Sequence, residues 1–219
     1  MTIQAILFPN IKAFNAKKIK ELHTISSFIV AIDGGADNAF KMHITPQIVI
    51  GDMDSLSSKS KSIIKKKKIE TLKYFKEKDE TDFELAIDYI ISKGIKNVVI
   101  AGLSGERTDH SMTNWMILIN LYIKGYLESV KIIERNQSIY FSKKEWIANM
   151  HKGDIVSIIP LLDGVTGITT YGLKYKLKNE NLKYGTSRGI SNIAIEKKIR
   201  IKLASGSIMI IHNSKQLPS

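Results

Sequence analysis

The chain has no cysteine among its 219 residues, which excludes disulfides, thiolate metal sites and cysteine nucleophiles. Arginine is nearly as scarce, occurring only at Arg107, Arg135, Arg188 and Arg200, so the formal net charge of +12 rests on lysine. Specific nucleic-acid recognition leans on the planar guanidinium fork, whereas lysines scattered along a chain make a solvated face. The one dense run, Lys65-Lys66-Lys67-Lys68, falls between two expected elements. No nucleic-acid partner is expected, although the lysines suit anionic substrates. No apolar run is long enough to cross a bilayer, and Met1 to Phe8 carries no basic leader ahead of a long apolar core. A cytoplasmic protein without a membrane partner is expected. A Gly-x-x-x-x-Gly-Lys-Ser/Thr loop is also lacking, which excludes a Walker-type nucleotide site.

What is present reads as an ordinary globular composition, 43% hydrophobic and 25% charged. In the first half, apolar β-type runs alternate with helical stripes. Strands are expected at 3–8, 28–32, 46–50, 69–75, 97–101 and 130–134, and helices at 16–23, 36–42, from Thr81, and from His110 to about Lys124. Strands separated by helices need crossover connections and form a mostly parallel sheet. After Asn136 only short β runs follow, at 139–141, 155–159, 173–177, 199–203 and 208–211, punctuated by glycines. The runs at 173–177 and 199–203 alternate apolar and polar, as half-buried antiparallel strands do. The expected fold class is therefore an α/β N-terminal domain with a mostly parallel sheet, residues 1–136, followed by an all-β sandwich domain, residues 137–219, whose end from Asn213 is a loose tail.

The polar clusters of the first half all lie just after a strand: Asp33-Gly34-Gly35, Gly51-Asp52-Met53-Asp54-Ser55, the stretch from Asp79 to Asp82, and the stretch from Gly102 to His110. In an open α/β sheet ligands bind at the carboxyl ends of the strands, so four such loops on one edge make a site. Glycines there permit positive φ and close backbone approach. Asp52 and Asp54, one residue apart in a turn, suit a hard divalent cation such as magnesium. Thr81 with Glu84 fits a capping box, which puts Asp82 at a helix start. Phosphoryl-type transfer needs metal between phosphates, a cation on developing charge and a placed nucleophile. Asp52, Asp54 and Asp82 can serve as metal ligands and Arg107 as the cation, while Asp109 and His110 can orient a phosphate or the nucleotide.

Taken together, Asp33-Gly34-Gly35, Gly51-Asp52-x-Asp54-Ser55, Asp79-x-Thr81-Asp82, Gly102-x-x-Gly105-x-Arg107-x-Asp109-His110-x-x-x-Asn114, Gly172-Leu173-Lys174-Tyr175-x-Leu177 and Gly185-x-x-x-Gly189-x-Ser191-Asn192 resemble the thiamine pyrophosphokinase family, in the family's order. The resemblance implies transfer of the pyrophosphoryl unit of ATP to the hydroxyl of thiamine, giving thiamine diphosphate and AMP, with Mg2+. It implies a nucleotide-binding catalytic domain followed by a thiamine-binding β-sandwich, and a homodimer holding thiamine between subunits. It assigns Asp33, Gly34, Gly35, Thr81, Arg107, Asp109 and His110 to ATP, and Ser187, Ser191 and Asn192 to thiamine. Two places depart from the family's usual pattern: Gly105-Glu106 replaces a Gly-Gly pair, and the first strand ends in Phe8-Pro9-Asn10 without a glycine loop. The rival readings are a pyrophosphokinase for another heterocyclic alcohol, such as a hydroxymethylpterin, and a non-catalytic nucleotide-binding protein.

Overall fold

Short β-branched segments, each closed by a polar turn, make the strands of the first half: β1 (Gln4–Phe8), β2 (Phe28–Ile32), β3 (Ile48–Gly51), β4 (Glu70–Lys73), β5 (Asn97–Ala101) and β6 (Ser129–Ile133). The computed structural model describes residues 3–73 and 79–215. The end of the expected strand 69–75 lies outside them. The chain divides into two units, Met1–Arg135 and Asn136–Ser219.

In the first unit every strand pairing is parallel, in the order β4-β3-β2-β1-β5-β6. The helices between them are α1 (Ala16–Leu22), α2 (Gly35–Lys41), α3 (Ser58–Lys67), α4 (Asp82–Ser92) and α5 (Thr108–Ile123). Because side chains alternate along a strand, each strand serves both faces of the sheet. Ile6, Phe8, Ile29, Ala31 and Val49 pack with Ile19 of α1, Ala36 and Ala39 of α2 and Ile64 of α3. Helix α4 lies against β2 and β3, and α5 against α4 and β6. Helix α3 corrects the reading of the lysine run as a connector. Lys65, Lys66 and Lys67 form its last turn, where positive charge suits the dipole, and Lys68 ends it in the left-handed region at φ 53°. Only Ser60 and Ile64 of α3 are buried, too little apolar periodicity to read in advance.

The second unit is antiparallel and all β: β7 (Gln137–Ser142), β8 (Glu145–Asn149), β9 (Ile155–Tyr171), β10 (Glu180–Leu182), β11 (Asn192–Ile193), β12 (Lys198–Lys202) and β13 (Ser205–Asn213). The order is β7-β13-β9-β12-β8, with β10 and β11 also on β9. The 17-residue β9 belongs to two sheets. Its residues 155–166 pair with β13, and 169–171 pair with β12. The two sheets share a core of Val156, Ile158, Ile168, Ile199, Ile201, Ile208 and Ile210.

Three expectations change here. The run at 155–159 continues through Pro160 and Gly164, because the chain bulges: Ile208 faces Pro160 while Gly206 faces Val165. The run at 173–177 is no strand. Leu173 makes one bridge to Ala194, Leu177 is buried, and Lys174, Tyr175 and Lys176 are exposed on a loop. Of the tail, Asn213 belongs to β13, and the Lys215 N–H donates to Asp154 Oδ1 at 3.1 Å.

Candidate functional site at the carboxyl edge of the parallel sheet

Strand order makes β1 the central strand, with the chain leaving it toward β2 on one side and returning as β5 on the other. That reversal leaves a crevice beyond the carboxyl ends of β1 and β5. The loops around it touch closely. A Cβ on Gly35 would collide with the Phe8 carbonyl oxygen, and one on Gly34 would come within 2.6 Å of Asn10 Oδ1. The glycines of Asp33-Gly34-Gly35 thus serve close approach, and the positive φ falls on Asp33 itself, at 46°.

Side-chain hydrogen bonds tie the loop after β3 to the loop after β2 and to α2. The Met53 N–H donates to Asp33 Oδ1 at 3.1 Å, the Gly34 N–H to Ser55 Oγ at 2.9 Å, and Ser57 Oγ to Asp37 Oδ1 at 2.7 Å. Between Asp52 and Asp54, Met53 is buried with φ 63°, and the Asp54 N–H donates to Asp52 Oδ1 at 3.0 Å. Asp52 is half-buried and Asp54 exposed. Asp82 opens α4, whose cap is Thr81, its Oγ1 accepting from the Glu84 N–H at 3.2 Å. Burial, then the carboxyls of Asp82 and Asp52, push the Asp33 carboxyl up to about 7, against the Met53 N–H, which lowers it. The carboxyls that act on Asp33 are therefore those of Asp52 and Asp82. Among the described residues, no three His, Asp or Glu side chains form a metal-holding group on their own. Magnesium is commonly held by one or two carboxylates completed by substrate phosphates, and an acidic cluster with a raised carboxyl fits that demand.

Across the crevice, the loop after β5 turns at Gly102, whose N–H donates to the Ile133 carbonyl at 3.0 Å. The Leu103 and Ser104 N–H groups both donate to Glu134 Oε1, at 3.1 and 3.0 Å, and the Gly105 N–H donates to Ser111 Oγ at 3.0 Å. Arg107 is the N-cap residue of α5 and forms a fork with Asp109, Nε to Oδ1 at 3.2 Å and a second guanidinium nitrogen to Oδ2 at 2.6 Å. The guanidinium holds the Asp109 carboxyl down at about 2. Arg107, Asp109 and His110 are all exposed. Glu134 and Ser111 escaped the sequence reading as site residues, although Glu134 closes the expected strand 130–134 at the same edge, which was the available signal.

In the second unit Ser187 and Ser191 are exposed, the latter at φ 56° with its N–H on Ser157 Oγ at 3.0 Å. Asn192 is buried. Its Oδ1 accepts from the Tyr175 N–H at 2.9 Å and its Nδ2 donates to the Tyr175 carbonyl at 2.7 Å, so one side chain stands in for a partner strand and holds the loop 172–178. Arg188 ties the same region to Glu180, Nε to Oε2 at 2.7 Å. Gly185-Thr186-Ser187-Arg188-Gly189 spells a Gly-x-Ser-x-Gly string, but it lies between β10 and β11 with no helix after it, so it is not a nucleophile elbow.

Comparison with known proteins gives this arrangement its context. In sequence the chain is similar to thiamine pyrophosphokinase of Bacillus subtilis (strain 168), 29% identical over 189 residues, covering 84% of this chain and 86% of the relative. Its fold is similar to the crystal structure of thiamine pyrophosphokinase from Bacillus subtilis, with a TM-score of 0.84 and 21% identity on superposition, covering 99% of this chain and 100% of the other. It is also similar to thiamin pyrophosphokinase from Candida albicans, with a TM-score of 0.79 and 15% identity, covering 98% and 90%. The family model of the thiamin pyrophosphokinase catalytic domain matches residues 19–132, and that of the thiamin pyrophosphokinase vitamin B1 binding domain matches 137–208. With both of its domain models matched in succession, the chain belongs to the thiamine pyrophosphokinase family.

Proposed function

We propose that this chain catalyses pyrophosphoryl transfer from ATP to thiamine. The observation that carries the reading is the match to both family domains in succession, with the first domain's acidic loops gathered on one sheet edge. The thiamine hydroxyl oxygen attacks the β-phosphorus of ATP. The bond from that phosphorus to the oxygen bridging the α-phosphate breaks, AMP leaves with the bridging oxygen, and the hydroxyl proton passes to base or solvent. A divalent cation, taken as Mg2+, would be held by Asp52, Asp54 and Asp82 with the phosphates, and supplies neutralisation of their charge. Asp33 sets the loop after β3 through Met53 and shares the same acidic cluster. Arg107 places a planar cation for the phosphates, and Asp109 orients it through the fork. Gly34, Gly35, Thr81 and His110 complete the ATP side, with the glycines allowing backbone approach.

Ser187 and Ser191 present short hydroxyls to thiamine, while Asn192 shapes the site through Tyr175. The B1-binding match over 137–208 favours thiamine over a hydroxymethylpterin. A homodimer with thiamine between subunits is part of the reading, supported by Met112 and Met116, both exposed one turn apart on α5. The mostly lysine charge gives no reason for a nucleic-acid partner. A cytoplasmic location is part of the reading, and among the described residues no helix is long and apolar enough to cross a membrane. Incubation with ATP, Mg2+ and either thiamine or hydroxymethylpterin tests the reaction. AMP and thiamine diphosphate should form only with thiamine; ATP consumption with the pterin alone, or with neither, defeats the reading.

A further inference from the structure

We propose that Glu134 is a positioning residue for the ATP-facing loop 102–110, an inference that rests on the pyrophosphoryl-transfer reading above. Glu134 directly follows β6, and β6 pairs in parallel with β5, Ile133 opposite Ala101. That pairing sets Glu134 beside the start of the loop after β5. One carboxylate oxygen, Oε1, accepts from two consecutive backbone N–H groups, Leu103 at 3.1 Å and Ser104 at 3.0 Å. Two donors on one charged acceptor fix the orientation of both peptide planes.

Backbone groups leaving a strand must find partners, and here they find side chains. Leu103 is buried, but every residue from Ser104 to His110 is exposed. The next tether is the Gly105 N–H on Ser111 Oγ at 3.0 Å. The segment that carries the Arg107–Asp109 fork is therefore held at Glu134 on its strand side and at Ser111 on its helix side. Without Glu134 the loop samples other conformations, and ATP must order it on binding. That raises the concentration of ATP required and leaves the chemistry of the bound complex largely intact. Glu134 touches neither substrate in this account; it acts through the backbone of Leu103 and Ser104.

The test compares wild type, Glu134→Ala, Glu134→Gln and Ser111→Ala in the ATP and thiamine assay, with amide hydrogen exchange on each. Glu134→Ala should raise KM for ATP by roughly tenfold, the scale of a lost hydrogen bond to a charged group. Its kcat and its KM for thiamine should stay near wild type, and the Leu103 and Ser104 amides should exchange faster. Glu134→Gln keeps an acceptor oxygen and should restore most of the ATP affinity. Ser111→Ala, which loosens the same loop from its other end, should shift KM for ATP in the same direction; it carries the test if Glu134→Ala does not fold. An unchanged KM for ATP in folded Glu134→Ala, or in Ser111→Ala where that variant carries the test, overturns the proposal. So does an equal loss in kcat and in both KM values. A wild type that makes no AMP from ATP and thiamine brings down the reaction reading itself, and this inference with it, whereas an active wild type with an indifferent Glu134→Ala brings down only the role of Glu134.

Discussion

Two carboxylates, one in each unit, behave in opposite ways. Asp154 in the second unit has a fully buried side chain, yet its pKa is lowered: burial pushes it up, but His212 Nε2 at 2.8 Å and the N–H groups of Lys215 and His151 overcome that. Asp33 in the first unit is only partly buried, yet is pushed up to about 7, because one backbone donor is set against burial and two neighbouring carboxyls. Depth of burial does not decide which way a carboxylate moves; the balance of donors against like charges does. Asp154 is a completed structural tie that fastens the end of β13 to the turn before β9. Asp33 belongs to an acidic cluster in which the neighbouring carboxyls of Asp82 and Asp52 favour its protonated form.

The contrast is broken most sharply by Asp33→Asn. Asparagine tolerates the left-handed backbone at φ 46° and keeps an oxygen for the Met53 N–H. Turnover should fall by roughly 10²–10³, the effect of removing a transition-state electrostatic contact. Thermal melting without divalent cation should be unchanged or higher. A lower melting temperature with near wild-type turnover would reverse the assignment.

Asp154→Ala should do the reverse at somewhat smaller scale. It leaves the His151 and Lys215 N–H groups without their acceptor, at a cost of about 1–3 kcal/mol for a buried group so stranded. Urea unfolding reads this cost, and a stability equal to wild type would mean that water replaces the carboxylate freely.

The pH dependence separates the two by sign. The folded pKa of Asp154 is depressed, so its contribution is present above the ordinary value of 3.8 and is lost as pH falls below it. The folded pKa of Asp33 is raised, so the folded state holds its proton more tightly. Its contribution is fully present below 3.8 and is lost as pH rises toward about 7. In metal-free protein, the melting difference between Asp33→Asn and wild type should therefore be small near pH 4 and grow up to pH 7. A difference independent of pH would show that Asp33 carries no such shift.

The smallest effect is expected at the exposed Arg107–Asp109 fork, a surface pair that adds little to folding. Arg107→Lys keeps the charge and loses the planar fork, so melting should barely move while ATP affinity, read by calorimetry, weakens severalfold. Unchanged ATP affinity would remove Arg107 from the site.

The sequence by itself determined the alternation of strand and helix in the first half, the all-β character of the second, and the chain positions of the polar loops. Those features are local: β-branched runs such as 28–32 and 97–101 need only their own residues to declare themselves, and Thr81 caps α4 by accepting from Glu84, three residues on. The tertiary structure alone decided the rest. Helix α3 buries too few residues to announce itself, and β9 runs through a proline and two glycines because β13 pairs with it on both sides of the bulge and β12 takes over beyond. Residues 173–177 alternate like a strand but form a loop, since Asn192, 17 positions beyond Tyr175, satisfies the Tyr175 backbone, while Ile193 and Thr170 take the Lys174 and Leu177 N–H groups. Longer stretches of sequence separate the partners gathered at the candidate site. Asp33 meets Asp82, and Glu134 reaches back 31 residues to Leu103, only because parallel strands bring their carboxyl ends to one edge. Charge repulsion and hydrogen bonding act over a few ångströms, and only the folded sheet makes those residues neighbours.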